Sequence, residues 1–142
     1  AVVHGVPNGD SGTIVGAVGR HPVDRKKYAV VSDASGRYAR THWTLVERFG
    51  DYSLLRFKLD TGRTHQIRVH CAHINHPVVG DPTYSRCRKL PVDLPGQALH
   101  AVQLGLDHPI TGERMVFAAP LPPVMEKLLL VLRRRSGASS PV

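Results

Sequence analysis

A chain of 142 residues, 42% of them hydrophobic, is long enough for one domain with a real core. Lys and Arg number 19 against 11 Asp and Glu, so the net charge is +8 and the pI is near 10.1, which suits a polyanionic partner without identifying one. Two cysteines, Cys71 and Cys87, do not make a disulfide framework, and no apolar run is long enough to span a membrane. A reducing, cytoplasmic setting is the reading that follows.

In chain order, Thr13–Val18 and Tyr28–Ser32 are short apolar runs bounded by Gly, Pro and Asp, and they read as strands. Asp33-Ala34-Ser35-Gly36 reads as a turn into a long strand around Tyr38–Phe49. Gly50-Asp51 turns the chain again, and Leu54 or Leu55, Phe57 and Leu59 support a return strand. A helix over residues 64–75 follows, then an irregular Pro- and Gly-punctuated loop over 86–97. Ala98–Leu106 and Arg114–Ala118 flank Asp107–Glu113 as a hairpin. Pro122-Pro123 opens a terminal helix with Val124, Leu128 and Val131 or Leu132 facing the body, and Arg133-Arg134-Arg135 favours the negative end of its dipole. The class is α+β, with a mostly antiparallel, mixed-edge sheet, a short central helix and a C-terminal helix.

Residues 59–84 carry the densest signal. Thr61-Gly62 is a turn signal, Thr64 is placed to cap the next helix, and Ile67, Cys71 and Ile74 recur at helical spacing. Arg68 lies between those apolar positions, so its stem can run along packed surface while its fork meets a carboxylate or a phosphate. Thr61-Gly62-Arg63-Thr64-His65-Gln66-Ile67-Arg68-Val69-His70, followed by Gly80-Asp81 and Tyr84, resembles the signature of the RluA/RluD-like RNA pseudouridine synthases. The resemblance extends both ways. Arg20-His21-Pro22-Val23-Asp24-Arg25-Lys26-Lys27 resembles the family's basic loop, and Gly36-Arg37-Tyr38-Ala39-Arg40-Thr41 the strand after it. Leu99-His100-Ala101, His108–Glu113 and Phe117–Pro122 resemble its closing hairpin, so the match runs to about Leu132.

The family's nucleophile is an aspartate in a His-Arg-Leu-Asp-x-x-Thr-Ser-Gly type motif, and nothing here matches it. Ala1-Val2-Val3-His4-Gly5 resembles the strand that follows the family's active-site tyrosine, so both catalytic positions are expected upstream of Ala1. Residues 1–135 are then expected to be the C-terminal part of the catalytic domain, with 136–142 a flexible tail. The resemblance implies a parent enzyme that isomerises uridine in structured RNA, ribosomal or transfer, as a monomer with no metal and no organic cofactor. The chain alone is expected to be inactive, or to be a catalytically dead RNA-binding fragment.

Forming pseudouridine breaks the N-glycosidic bond, turns the base and rejoins it through carbon, which requires a base flipped out of its stack. It also requires an ionised aspartate held by a cation, and by resemblance Arg68 is that cation. With its partner aspartate upstream, Arg68 is expected to point into a cleft and find no strong acidic partner within the chain. Arg63 is divided between contacting a phosphate and serving the turn. Arg20, Arg25, Lys26 and Lys27 form a loop-borne charge run that reads as phosphate contacts, and Arg37 and Arg40 extend it. His65 and Gln66 hydrogen-bond locally or to RNA. Leu99 is either a base-pocket residue or an ordinary core leucine.

His65, His70, His73 and His76 tempt a metal reading, but their spacing repeats no zinc pattern. Asp60 and Asp24 are decoys for the nucleophile. Asp81 is read as ordering the Gly-Asp loop through backbone hydrogen bonds.

Overall fold

The computed structural model describes residues 1–86 and 89–137; Cys87 and the end of the expected tail, 138–142, lie outside them. The turn signals divide the chain into β1 (Val2–His4), β2 (Ser11–Val15), β3 (Ala17–Arg20), β4 (Tyr28–Val31), β5 (Arg40–Arg48), β6 (Tyr52–Leu59), α1 (Gln66–His73), β7 (Gln103–Asp107), β8 (Arg114–Ala118) and α2 (Pro123–Arg135). Strands β1, β6, β5 and β2 form one sheet in that order, while β3 pairs with β4 and β7 with β8. All these pairs are antiparallel, in the α+β class read from the sequence. The central hairpin β5–β6 pairs Trp43 with Phe57 and Thr41 with Leu59, and its register shifts between Leu45 and Glu47. Period-two alternation turns Thr41 and Trp43 inward and leaves Arg40 and Thr44 outside.

The run Thr13–Val18 is two strands rather than one. It breaks at Gly16, whose N–H donates to the Ala39 carbonyl and whose own carbonyl accepts from His70 Nε2 at 2.9 Å. A Cβ at Gly16 would sit 2.8 Å from Val30 Cγ1, so the absence of a side chain lets the chain cross from one sheet to the other here.

Helix α1 is shorter than 64–75 at both ends, and Thr64 does not cap it. His65 is the N-cap residue, in a left-handed conformation with φ 54°, and no side chain bonds the helix start. The preceding turn is tied from within the helix instead, because Gln66 Oε1 accepts from the Arg63 N–H at 2.9 Å and the Thr61 hydroxyl at 2.7 Å. Ile67, Cys71 and Ile74 do face the main core, as their spacing requires. Val69 enters a second cluster with Val18 and Ala39, so α1 is covered by the large sheet on one side and by the β3–β4 hairpin on the other. Burial pushes the Cys71 thiol up to about 12, which makes it an inert core residue.

Helix α2 begins at its prolines as expected, with Pro123 in its first turn. Its buried stripe is Met125, Leu128, Leu129 and Leu132, whereas Val124 and Val131 are half-buried. Leu128, Leu129 and Leu132 share one core with Val2, Val3, Leu55, Val78 and Val79. Each such side chain contributes about 1.5–3 kcal/mol on full burial. Arg133 then clamps the helix to β5 through Glu47, with Nε and Nη2 donating to its carboxylate at 3.0 and 2.9 Å.

Between α1 and the sheet lies a fully buried polar relay. Gln66 Nε2 donates to Thr41 Oγ1 at 3.0 Å, Thr41 Oγ1 meets His70 Nδ1 at 2.8 Å, and His70 Nε2 meets the Gly16 carbonyl. A carbonyl only accepts, so Nε2 carries the proton and Nδ1 accepts from the Thr41 hydroxyl. Burial lowers the His70 pKa against the Gly16 carbonyl, which favours the charged ring. Unfolded His70 therefore binds a proton more readily than the folded residue. Its stabilisation is complete above its ordinary value of 6.5 and is lost as pH falls through the folded value. Replacing His70 with leucine strands Thr41 and Gly16 and is expected to cost about 1–3 kcal/mol. The same change should flatten the acid limb of the stability curve. Denaturant unfolding followed through Trp43, the sole tryptophan, measures both effects.

Candidate functional site

Arg68 does have an acidic partner within the chain, contrary to the expectation from the sequence. Its Nε donates to Asp81 Oδ2 and its Nη2 to Asp81 Oδ1, both at 2.8 Å, in a side-on bidentate pair. The Asp81 side chain is fully buried and that of Arg68 is 11% exposed. The geometry is set from the other side of the pair as well. Gly80, at φ 76°, turns the chain where a Cβ would meet the Gly96 carbonyl at 2.6 Å, and Asp81 follows directly. Asp81 Oδ1 also accepts the N–H groups of Thr83 and Tyr84 at 3.0 and 3.1 Å, so it orders the loop as read from the sequence. Burial opposes the Asp81 charge, but the Arg68 fork and these two amides outweigh it and hold the pKa below the ordinary carboxylate value. Arg68 Nε and Nη2 are thus engaged, and Nη1 has no hydrogen-bond acceptor among the described residues.

Tyr84 carries the arrangement outward. Its ring lies under the Arg68 guanidinium, 5.1 Å from carbon to centroid. Its hydroxyl accepts from the Tyr28 N–H at 3.0 Å and shares a hydrogen bond with His65 Nδ1 at 2.9 Å. His65 stands edge-on to both Tyr28 and Tyr84. Arg20 covers the Tyr28 ring at 4.9 Å. A chain of contacts thus runs from buried Asp81 through Arg68, Tyr84 and Tyr28 to the basic hairpin β3–β4. His65 is exposed, with no partner on Nε2 among the described residues, whereas Gln66 is 3% exposed. Gln66 Nε2 also donates to the Arg40 carbonyl, so both donors and both acceptor sites of its amide are filled within the chain. Gln66 therefore locks the 61–66 turn from within the chain.

The remaining basic residues separate. Arg20, Arg37 and Arg63 line one open cavity of about 480 Å³ together with Gly19, Gly36, Gly62 and Thr64. Arg63 also serves the turn, since its Nε donates to the Tyr38 carbonyl at 2.8 Å. Arg25 lines the neighbouring hollow with Arg20, and Lys26 follows on the exposed loop, with Lys27 half-buried beside it. Arg40 stands apart from this cavity, paired with Asp60 at 3.4 Å beside His42, which meets the same carboxylate at 2.8 Å. Leu99 is half-buried against the main core. His70 and His76 spend ring nitrogens on the Gly16 and His4 carbonyls, and among the described residues no three of His, Cys, Asp and Glu are grouped to hold a metal. Among the described residues, no helix is long and apolar enough to cross a membrane.

The RNA pseudouridylate synthase family model matches residues 1–73. The chain belongs to the RNA pseudouridine synthase family. An uncharacterised RNA pseudouridine synthase of Synechocystis is 52% identical over 94% of this chain and 41% of its own length. The ribosomal large subunit pseudouridine synthase D of Pseudomonas aeruginosa is 48% identical over 94% of this chain and 44% of its own length. The chain therefore spans less than half of these curated relatives. The solved human RNA pseudouridylate synthase domain containing 1 superposes with a TM-score of 0.70 at 27% identity, covering 94% of this chain and 63% of that one. Its human counterpart, domain containing 4, shares the fold with a TM-score of 0.71 at 23% identity.

The sequence signalled Arg68 and Tyr84 within the family signature, but not that Asp81, 13 residues on, holds the arginine. In this pseudouridine synthase segment, Asp81→Asn would leave Arg68 buried without a counter-charge, at an expected cost of about 3–5 kcal/mol. Stability from Asp81 is present above its ordinary value of 3.8 and is lost as pH falls through the lower folded value. The variant's acid unfolding curve should therefore lose that transition, which circular dichroism against pH measures.

Proposed function

We propose that this chain is the RNA-holding and arginine-bearing part of an enzyme that isomerises uridine to pseudouridine in structured RNA. The reaction returns the same base to the same sugar through carbon, with atoms and electrons conserved, so it calls for no oxidant and no cofactor. Its needs are a flipped base, a nucleophilic carboxylate and a cation that keeps that carboxylate charged and placed. Arg68 is the proposed cation. Asp81 holds one edge of its fork, and the edge bearing Nη1 is left for the incoming carboxylate. No residue of the chain matches the family's nucleophile or tyrosine motif, and in this reading those groups are supplied from outside these 142 residues.

The observation that carries the reading is the cavity lined by Arg20, Arg37 and Arg63, joined to Arg68 by the Tyr28–Tyr84 contacts. Three guanidinium groups around one open hollow suit the phosphates of a nucleic acid strand, while Arg25, Lys26 and Lys27 extend the charge along the hairpin tip. Arg40, turned to Asp60, is left out of this surface.

Two measurements test this. Purified chain incubated with uridine-containing RNA should give no pseudouridine by specific chemical labelling; robust turnover would mean that the nucleophile is present, at Asp60 or Asp24. The same chain should bind RNA with an affinity that falls steeply with salt. Alanine at Arg25, Lys26 and Lys27 should weaken binding alike for unrelated sequences. It should also flatten the log–log salt slope by about 0.7–0.9 for each phosphate that is no longer neutralised. An unchanged slope would make this run a solvated face. In a full-length enzyme carrying this segment, Arg68→Lys should keep the fold and lose most of kcat, because a point charge replaces a fork.

A further inference from the structure

The tip of the β3–β4 hairpin presents a single apolar side chain with unusual care. Residues 21–27 close the hairpin in an ordered turn. The His21 N–H donates to the Lys27 carbonyl at 2.9 Å, and the Lys27 N–H donates to the Asp24 carbonyl at 3.0 Å. His21 Nδ1 accepts the N–H groups of Val23 and Asp24 at 3.1 and 3.0 Å, and Asp24 Oδ1 accepts that of Lys26 at 3.2 Å. Arg20 Nη1 donates to the Arg25 carbonyl at 2.9 Å, which ties the strand end to the loop. At the apex Val23 is 86% exposed.

An exposed valine by itself says nothing. Two further features distinguish this one. The turn that displays it is tied on every side, and a β-branched side chain has few rotamers to lose on contact. It is also flanked by Arg20, Arg25, Lys26 and Lys27, with Asp24 engaged in the turn itself. A small rigid apolar knob among cations matches the alternation of a nucleic acid, in which phosphates border apolar base faces.

The second hairpin supplies the comparison. His108 Nδ1 accepts the N–H groups of Ile110 and Thr111 at 3.1 and 3.2 Å, so His108-Pro109-Ile110-Thr111 repeats the turn of His21-Pro22-Val23-Asp24. Ile110 is displayed in the same way, at 88% exposure. Its neighbours in sequence are Asp107, Glu113 and Arg114, of mixed sign. The turn displays the aliphatic group in both hairpins, and only in the first is it flanked in sequence mainly by cations.

We propose that Val23 is an apolar wedge that enters a stacked base step of the bound RNA while the flanking cations hold the adjacent phosphates. This rests on the RNA-binding reading above and adds a role in opening the stack from which a base is flipped.

The test uses the 142-residue chain and a series of RNA stem–loops, each carrying 2-aminopurine at one position, whose fluorescence rises on unstacking. Wild type should raise the fluorescence at one step. Val23→Ser should keep the salt slope of binding and lose most of the rise, Val23→Leu should retain it, and Ile110→Ser should leave it unchanged. Normal binding by Val23→Ser with the full rise would overturn the wedge alone. Equal loss in Val23→Ser and Ile110→Ser would also overturn it, because the charge ring would then be irrelevant. Absence of RNA binding by the wild type would overturn the functional reading, and the wedge with it.

Discussion

A buried carboxylate facing an arginine is costly unless its geometry is nearly ideal, and much of this molecule is arranged around one such pair. Asp81 and Arg68 meet through two parallel bonds of 2.8 Å, with the Thr83 and Tyr84 amides adding two more donors to Oδ1 of the carboxylate. Taking the aspartate fully out of water is tolerable only because all four donors are in place. That requirement fixes the Gly80 turn, the rotation of α1 and the position of Tyr84. Because the Tyr84 hydroxyl bonds both the Tyr28 amide and the His65 ring, the same constraint orients the β3–β4 hairpin and its basic tip.

A second polar network acts on the opposite side of α1. Gln66, Thr41 and His70 are all buried, and each finds its partners only if the helix sits in one register against β5 and Gly16. The apolar contacts of Cys71 and Val69 would tolerate sliding, whereas the directional bonds would not. The helix that bears Arg68 is thereby held on both sides, and the guanidinium edge left open by Asp81 is held with it. Such fixed placement is what the proposed role of Arg68 as a supporting cation demands.

The parts of the fold governed by local rules were legible in the sequence. Gly50-Asp51 and the alternation around it gave β5–β6, the Pro122-Pro123 pair opened α2, and the motif at 61–70 located the central helix and identified the family. What escaped depends on groups distant in sequence. The break at Gly16 is set by Val30 and His70, and Thr64 fails as a cap because Gln66 has already tied the turn. Gln66, open from the sequence to local bonds or to RNA, makes its bonds to Thr61, Arg63, Arg40 and Thr41. The spacing around Arg68 suits a carboxylate or a phosphate, but it does not show that Asp81, legible only as ordering its own loop, is the carboxylate that the arginine meets. A side-chain pair 13 residues apart has no periodic signature, and it becomes visible only once the 74–81 loop has folded back. Met125 and Leu129 extend the α2 stripe because that helix packs on a broad core rather than on a single seam.

The most direct measurement is a double-mutant cycle on Arg68→Met and Asp81→Asn, with unfolding free energies from denaturant titration at neutral pH. If the pair organises the site, the two residues should couple by at least about 2 kcal/mol, and the double variant should be more stable than either single one. A coupling below about 0.5 kcal/mol, with the two costs simply adding, would mean that the pair is incidental and that the position of Arg68 is set by something else.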